Sequence, residues 1–343
     1  MPLVRKPAPS GLTSGALTPQ PGRVPRPVLS LPPSREILFW SSCHDGTDPN
    51  SLEDLFGVMP RTGVVRRNTD DAVSDRDPDR PPGGRRIVSM RASGVDLPYL
   101  TVRDSAGTVV RTIAVAGTEP IWMDRYRILA CLAGETGGLQ DRADIVGIGM
   151  TGQIRYVTSA LPNEFLNNPA WHPTAGLIAT LSTLDPVNQW PLGSQIVGAS
   201  AAAVTTAITT GIPIPLSAMT RIGAADTWNR SPSWSPDGVT IAYVTPRLCA
   251  TSQTGGPFMQ PEIAIMSTDP LLHPRLITDD SAGCYEDGLT DDSPVFSPDS
   301  EWLAWCRGYE DGYAQIILQK LSNPSTRRVL VADTHRFRAG LCW

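Results

Sequence analysis

The sequence predicts an all-β fold, a six-bladed β-propeller of four-stranded blades in which the C-terminal strand pairs with the N-terminal blade. Three observations carry this: a hairpin that recurs along the chain, two further apolar runs after each copy, and chain ends that read as halves of one copy. The clearest hairpin is SPSWSPDGVTIAYVTPR, from Ser231 to Arg247. Pro236 presets φ early in the turn, and Asp237 and Gly238 supply a side-chain acceptor and a permissive backbone to finish it. In the return strand Ile241 and Tyr243 face one way and Ala242 and Val244 the other. A strand apolar on both faces belongs inside a stack of sheets.

The hairpin returns as SPVFSPDSEWLAWCR from Ser293, NPAWHPTAGLIATLS from Asn168, EPIWMDRYRILACL from Glu119 and DPDRPPGGRRIVSM from Asp77. Phe296 replaces Trp234 in the first of these, and Arg80 stands where the last should carry its aromatic. A second apolar run follows in each unit: DLFGVM, PYLTV, DIVGIG, QIVGA, EIAIM and QIILQ. A third comes after a turn: VVRRNT, VVRTIA, QIRYVT, VTTAIT, PRLIT and RRVLV. No helical periodicity separates the units. Four short strands repeating at roughly 40 to 60 residues are the signature of a propeller blade.

At the N-terminus SREILFWSS has Ile37 in the register of Ile241 but lacks a preceding first strand; at the C-terminus RFRAGLCW puts Trp343 in the register of Trp234 and stops. Pairing these fragments removes an open sheet edge, which would otherwise be an aggregation liability. The return strands at Ile37, Ile87, Ile128, Ile178, Ile241 and Leu303 then give six blades over residues 34–343. Residues 1–33, rich in Pro, Ser, Gly and Thr, read as an extended arm without the apolar core of a signal peptide.

The pattern PxWSPDGxxIAF, followed by an Asp/Gln-Ile strand and a strand ending in Leu-Thr, resembles the TolB-type, WD-like propeller repeat. The match is closest around Trp234 and Phe296, good at Trp171, and degenerate at Trp122 and Arg80. The resemblance implies six or seven blades, a location outside the cytoplasm (periplasmic or extracellular), and binding or scaffolding roles with protein partners.

Composition narrows the functional classes. A net charge of -5 disfavours a general nucleic-acid binder, which needs clustered cations to neutralise phosphates. The basic run Arg61 to Arg67 reads as a solvated outer strand. The uncharged stretch between Asp185 and Arg221 is interrupted by Gly, Thr and Pro, so it predicts blade strands and a long connection, not a transmembrane segment. Among the 6 cysteines, Cys131 and Cys306 fall inside return strands as buried apolar residues. Cys249 and Cys284 are the leading disulfide candidates, with Cys43 and Cys342 in the closing blade as another pair.

No catalytic residue is assigned. Serine peptidases with related propellers need a nucleophile elbow, and no GxSxG occurs. The 4 histidines, His44, His172, His273 and His335, do not form a metal-binding constellation in sequence. The residues just before each PxW element do form a pattern. Asp77, Glu119, Asn168, Ser231 and Ser293 share one register, with Asn167, Arg230 and Asp292 one step earlier. If inner strands begin at one channel mouth, Asp77, Glu119, Asn168, Arg230 and Asp292 ring it as ligand-binding candidates, and their oxygens suggest calcium in the central channel. The expectation is a noncatalytic binding or assembly module, its contacts on the mouth and on the connections Cys249–Gln260 and Asp279–Asp292. The alternative is a carbohydrate-active lyase or hydrolase using the same mouth.

Overall fold

The computed structural model describes residues 31–42, 53–70, 73–81, 83–92, 98–136, 139–186, 191–223, 228–249, 258–268, 273–278, 290–308, 314–333 and 338–343. The arm at 1–30, Cys43, His44, Cys284, His335, the side chain of Cys249 and most of both long connections lie outside the described residues.

Each hairpin forms as its sequence dictates. In the turn after Trp234, the Ser235 hydroxyl accepts from Thr240 N–H at 2.9 Å and the Gly238 N–H donates to the Ser235 carbonyl at 2.8 Å. The turn after Phe296 repeats both bonds, Trp302 N–H to Ser297 Oγ and Ser300 N–H to the Ser297 carbonyl, each at 2.9 Å. Both turns need a left-handed residue, Gly238 at φ 73° and Ser300 at φ 57°. Gly meets that demand without steric cost, so the SPDS turn is the more strained of the two.

The strands assemble into antiparallel sheets. Ser74–Asp79, Ile87–Ala92, Tyr99–Arg103 and Val109–Ile113 form one; Arg230–Trp234, Thr240–Cys249, Phe258–Ser267 and Arg275–Leu276 another; Thr290–Phe296, Trp302–Gly308, Ala314–Lys320 and Asn323–Asp333 a third. In the fourth, Arg338–Cys342 from the C-terminus lies beside Ile37–Ser42, followed by Glu53–Val58 and Val65–Arg67. Leu38 opposes Cys342, Trp40 opposes Ala339, and the Trp343 indole donates to the Arg35 carbonyl at 2.9 Å.

The expected six separate blades need correction: four sheets of four strands stand alone, and none closes on itself. The two remaining repeats share one eight-stranded sheet, because Leu139–Gly149 of one meets Glu164–His172 of the next through a single parallel pair, Ala143 opposite Phe165. The hairpin Arg127–Gly149 is built from strands of 10 and 11 residues, long enough to overshoot its unit and reach the neighbouring inner strand.

A second correction concerns VTTAIT, expected as a strand. Ala201–Thr210 is an α-helix, and the outer strand of that unit is Thr220–Ile222. Its ends explain the choice: Ser200 accepts from Ala203 N–H as an N-cap, and Gly211 closes the helix at φ 73°. Val204 and Ala207 are buried, with Ile208 packed over Gly147. No described helix is long and apolar enough to cross a membrane.

Side-chain alternation generates the core. Ile241 and Tyr243 pack with Ile178 and Ile196 of the preceding unit, while Ala242 and Val244 pack with Phe296 and Trp305 of the next. The same contact recurs between the last unit and the N-terminal sheet, where Trp302 and Ile316 meet Ile37, Phe39 and Trp343. A polar ladder fixes the outer strands. Asp54, Asp144 and Glu262 are buried within their strands, and Thr69, Thr158 and Thr278 reach them from after the outer strand. Each Thr hydroxyl also accepts the N–H of Leu55, Ile145 or Ile263 at 2.8–2.9 Å. Removing one such hydroxyl leaves a buried carboxylate and a buried N–H each short of a partner. Thr158→Ala is therefore expected to cost about 1–3 kcal/mol, measurable by urea unfolding; an unchanged midpoint would show that the ladder contributes no stability.

Candidate functional site: a cavity ringed by the inner strands

The inner strand of every repeat carries a β-bulge, seen as a register shift between residues 76 and 79, 118 and 121, 167 and 170, 230 and 233, and 292 and 295. At each bulge one residue adopts left-handed φ: Asp77 49°, Glu119 49°, Asn168 46°, Ser231 50° and Ser293 52°. Gly340, three residues before Trp343, repeats the feature at 60°. Non-glycine residues in this region are strained by about 1–3 kcal/mol each, and such strain collects at functional sites.

The bulges present backbone N–H groups that side chains of the preceding repeat, or in one case of the same strand, satisfy. The Glu119 N–H donates to the Asp77 carboxylate. The Asn168 N–H donates to Glu119 Oε2, and its side-chain Nδ2 donates to Oε1 at 2.9 Å. The Ser231 N–H donates to Thr180 Oγ1 at 3.1 Å, and that hydroxyl donates to Asn168 Oδ1 at 3.3 Å. The Ser293 N–H is taken by Asp292 Oδ1 at 2.6 Å. Repeat is thus linked to repeat through polar groups facing one space.

That space is a cavity of about 920 Å³. Asp77, Glu119, Asn168, Arg230 and Asp292 all line it. Arg230 and Asp292 form an ion pair at 3.1 Å, both partly exposed. The walls above are aromatic and prolyl, including Trp40, Trp171, Trp234 and Phe296. His172 lines the cavity too, but its Nε2 lies 3.1 Å from the Pro236 carbonyl as part of a turn; His273 is exposed elsewhere.

Burial governs the electrostatics. It pushes the Glu119 carboxyl up to about 7, with the Asp77 charge adding to the shift and the Asn168 N–H opposing it. Burial also raises Asp77, against the pull of Arg76 and the Trp40 indole. The Cys131 thiol, 3.3 Å from Glu119 Oε2, is held well above its usual range by burial and by that carboxylate. On the rim, Asp79 accepts the Trp122 N–H at 2.6 Å and the Cys342 thiol at 3.3 Å. Cys342 is a free, buried cysteine, which corrects its pairing with Cys43; Cys131 is likewise free and buried, and Cys306 is buried.

Asn168 Oδ1 already accepts from Thr180, Asp292 is engaged by Arg230, and no cluster of three or more metal-ligating side chains occurs among the described residues. Sequence reasoning missed Gly340, Thr180, Cys131 and Trp40 at this site. Only Gly340 was readable, since it precedes Trp343 by the interval that separates Ser231 from Trp234.

No protein-family model and no curated protein matches the chain. Solved structures match its fold. TolB from Acinetobacter baumannii superposes with a TM-score of 0.62 at 15% identity, over 90% of this chain and 66% of that one. The chain thus spans about two thirds of the length of the Acinetobacter protein. A putative TolB from Agrobacterium tumefaciens gives 0.57 at 16% identity, over 89% of this chain and 97% of that one. Kuenenia stuttgartiensis hydrazine synthase gives 0.62 at 13% identity, over 90% and 46% respectively. The repeated hairpin, the stacked four-stranded sheets and these superpositions agree: the fold of this chain is that of a TolB-type β-propeller.

Proposed function

We propose that the protein is a noncatalytic binding module, a ring of six repeats whose channel mouth contacts a protein partner in an extracytoplasmic assembly. The six left-handed bulges support the six-fold count, one per repeat, with the eight-stranded sheet taken as two repeats joined by one residue pair. The observation that carries the functional reading is the cavity of about 920 Å³ onto which those bulges converge. Its size and its aromatic walls above a ring of polar groups suit ligand capture, and strained residues held by a rigid scaffold keep it preorganised. TolB-type resemblance supports a protein as the partner and a location outside the cytoplasm.

A photocrosslinking residue placed at Pro298, exposed on the cavity rim, is expected to capture a partner in extracts of the native source. The same residue at Val65, exposed on an outer strand, is expected to capture none. Equal capture at both sites, or none at Pro298, would move the contact surface away from the mouth.

One observation favours carbohydrate-active chemistry as a second reading: Glu119, raised to about 7, sits beside Asp77 in the cavity. A pair of neighbouring carboxyl groups, one of them raised toward neutrality, is what glycoside-cleaving acid–base catalysis uses. Turnover of an acidic oligosaccharide by the parent, abolished in Glu119→Gln, would establish it.

A further inference from the structure

The carboxylates around the cavity fall into two groups. Asp292 has its counter-ion in Arg230 at 3.1 Å, and Asp79 is held by the Trp122 N–H with Arg35 nearby. Asp77 and Glu119 have neighbours in one another but, among the described residues, no Lys or Arg nitrogen within ion-pairing distance. Arg76, whose charge acts on Asp77, is itself engaged by Glu53 and lies over the Trp40 ring. Two adjacent buried acids without a counter-ion are electrostatically incomplete, since burial charges each a desolvation cost that a cation would offset.

The ring of bulge residues is also lopsided. Asp77, Glu119 and Asn168 occupy three consecutive positions, whereas the other three carry Ser231, Ser293 and Gly340. A Cβ at Gly340 would lie 2.8 Å from the Trp40 ring and 3.3 Å from Asp77 Oδ1. Gly340 thus lets the Trp40 ring sit beside Asp77, and the aromatic walls of the cavity can hold an alkyl stem or the face of a cation.

We propose that this cavity binds an organic cation, a primary ammonium or guanidinium on a short alkyl stem, at the carboxylates of Asp77 and Glu119. The inference rests on the channel-mouth reading above, in which a Lys or Arg side chain of the protein partner carries the cation; a free diamine presents the same chemistry. The three N–H donors of an ammonium match the remaining lone pairs of two carboxylates. A hard metal ion would need more oxygens than the ring leaves uncommitted.

Titration makes the site pH-dependent. The groups facing Glu119 are Asp77, Cys131 and Asp292, the last offset by Arg230. Because Glu119 titrates at about 7, its ionised fraction grows about tenfold from about pH 6 to pH 8, and affinity for a cation grows with it.

The test is calorimetric titration of the folded chain with four probes: acetyl-Gly-Lys-Gly-amide, the same peptide with norleucine in place of lysine, cadaverine, and calcium chloride. The lysyl peptide and cadaverine are expected to bind saturably, more tightly at pH 8, and to weaken at least about tenfold in Glu119→Gln and in Asp77→Asn, the loss of a charge-assisted contact. Parent and both variants are first compared by urea unfolding, to establish that each is folded under the binding conditions. Equal binding of the norleucine peptide, indifference to both substitutions, binding of calcium alone, or no saturable binding of either amine overturns the proposal. Cadaverine binding without peptide binding supports the cation site while counting against a macromolecular partner at the mouth. A partner captured at Pro298 with no amine binding sustains the module reading and removes this one.

Discussion

Replacing Trp305 by Ala is expected to lower the unfolding free energy by about 3–5 kcal/mol, the range for deleting a fully buried large aromatic. Trp305 is 0% exposed and sits in the cluster joining its return strand to Val244 and Ile263 of the preceding unit. Its indole N–H donates to Asp291 Oδ1 at 2.9 Å, and the same carboxylate is gripped by Arg307 at 2.8 Å. The Arg327 guanidinium lies 5.5 Å above the ring. The Ala variant therefore opens a cavity between two sheets and removes one donor from a buried acid. Trp305→Phe restores most of the volume and removes chiefly the N–H, so its cost should be about 1–2 kcal/mol. Equilibrium urea unfolding of the three proteins decides the matter. An Ala variant no less stable than the Phe variant would mean that the inter-sheet contact contributes little.

Glu119→Gln is expected to make the protein more stable at pH 8, by about 2–3 kcal/mol, and to leave it nearly unchanged at about pH 5. The sign follows from the raised carboxyl. Its value is about 7 in the folded chain against 4.5 unfolded, so the native state holds the proton more tightly across that interval. The resulting stabilisation is complete below the unfolded value and is lost as pH rises through about 7, amounting to about 3 kcal/mol in all. Glutamine keeps an acceptor for the Asn168 N–H but cannot ionise, so the variant escapes the loss. Urea unfolding across this pH range is the measurement. Parallel pH profiles for parent and variant would show that Glu119 titrates like an exposed glutamate. A cation seated on Glu119 and Asp77 would flatten the parent's profile, linking this stability experiment to the binding one.

Much of this molecule follows from local chemistry. Ser235 and Asp237 with Gly238 form their turn through bonds within a few residues, and the apolar alternation of Ile241 through Val244 commits one strand to two neighbours. The pairing of Trp343 with the N-terminal strand was likewise readable, because two incomplete copies of one hairpin fit only each other. The shared register of Asp77, Glu119 and Asn168 came from the same periodicity.

Tertiary structure decided the rest. Ala201–Thr210 carries β-branched residues compatible with a strand, and it is helical because Ser200 and Gly211 cap it and Val204 and Ala207 find a buried face. The join between Ala143 and Phe165 depends on how far two long strands overshoot, which no single repeat encodes. Above all, the state of Glu119 belongs to the assembled ring: its desolvation, the Asp77 charge and the Asn168 N–H come from three different repeats. Sequence period fixes which residues share a position, but only the closing together of distant strands sets the dielectric and the neighbours that give those positions their chemistry.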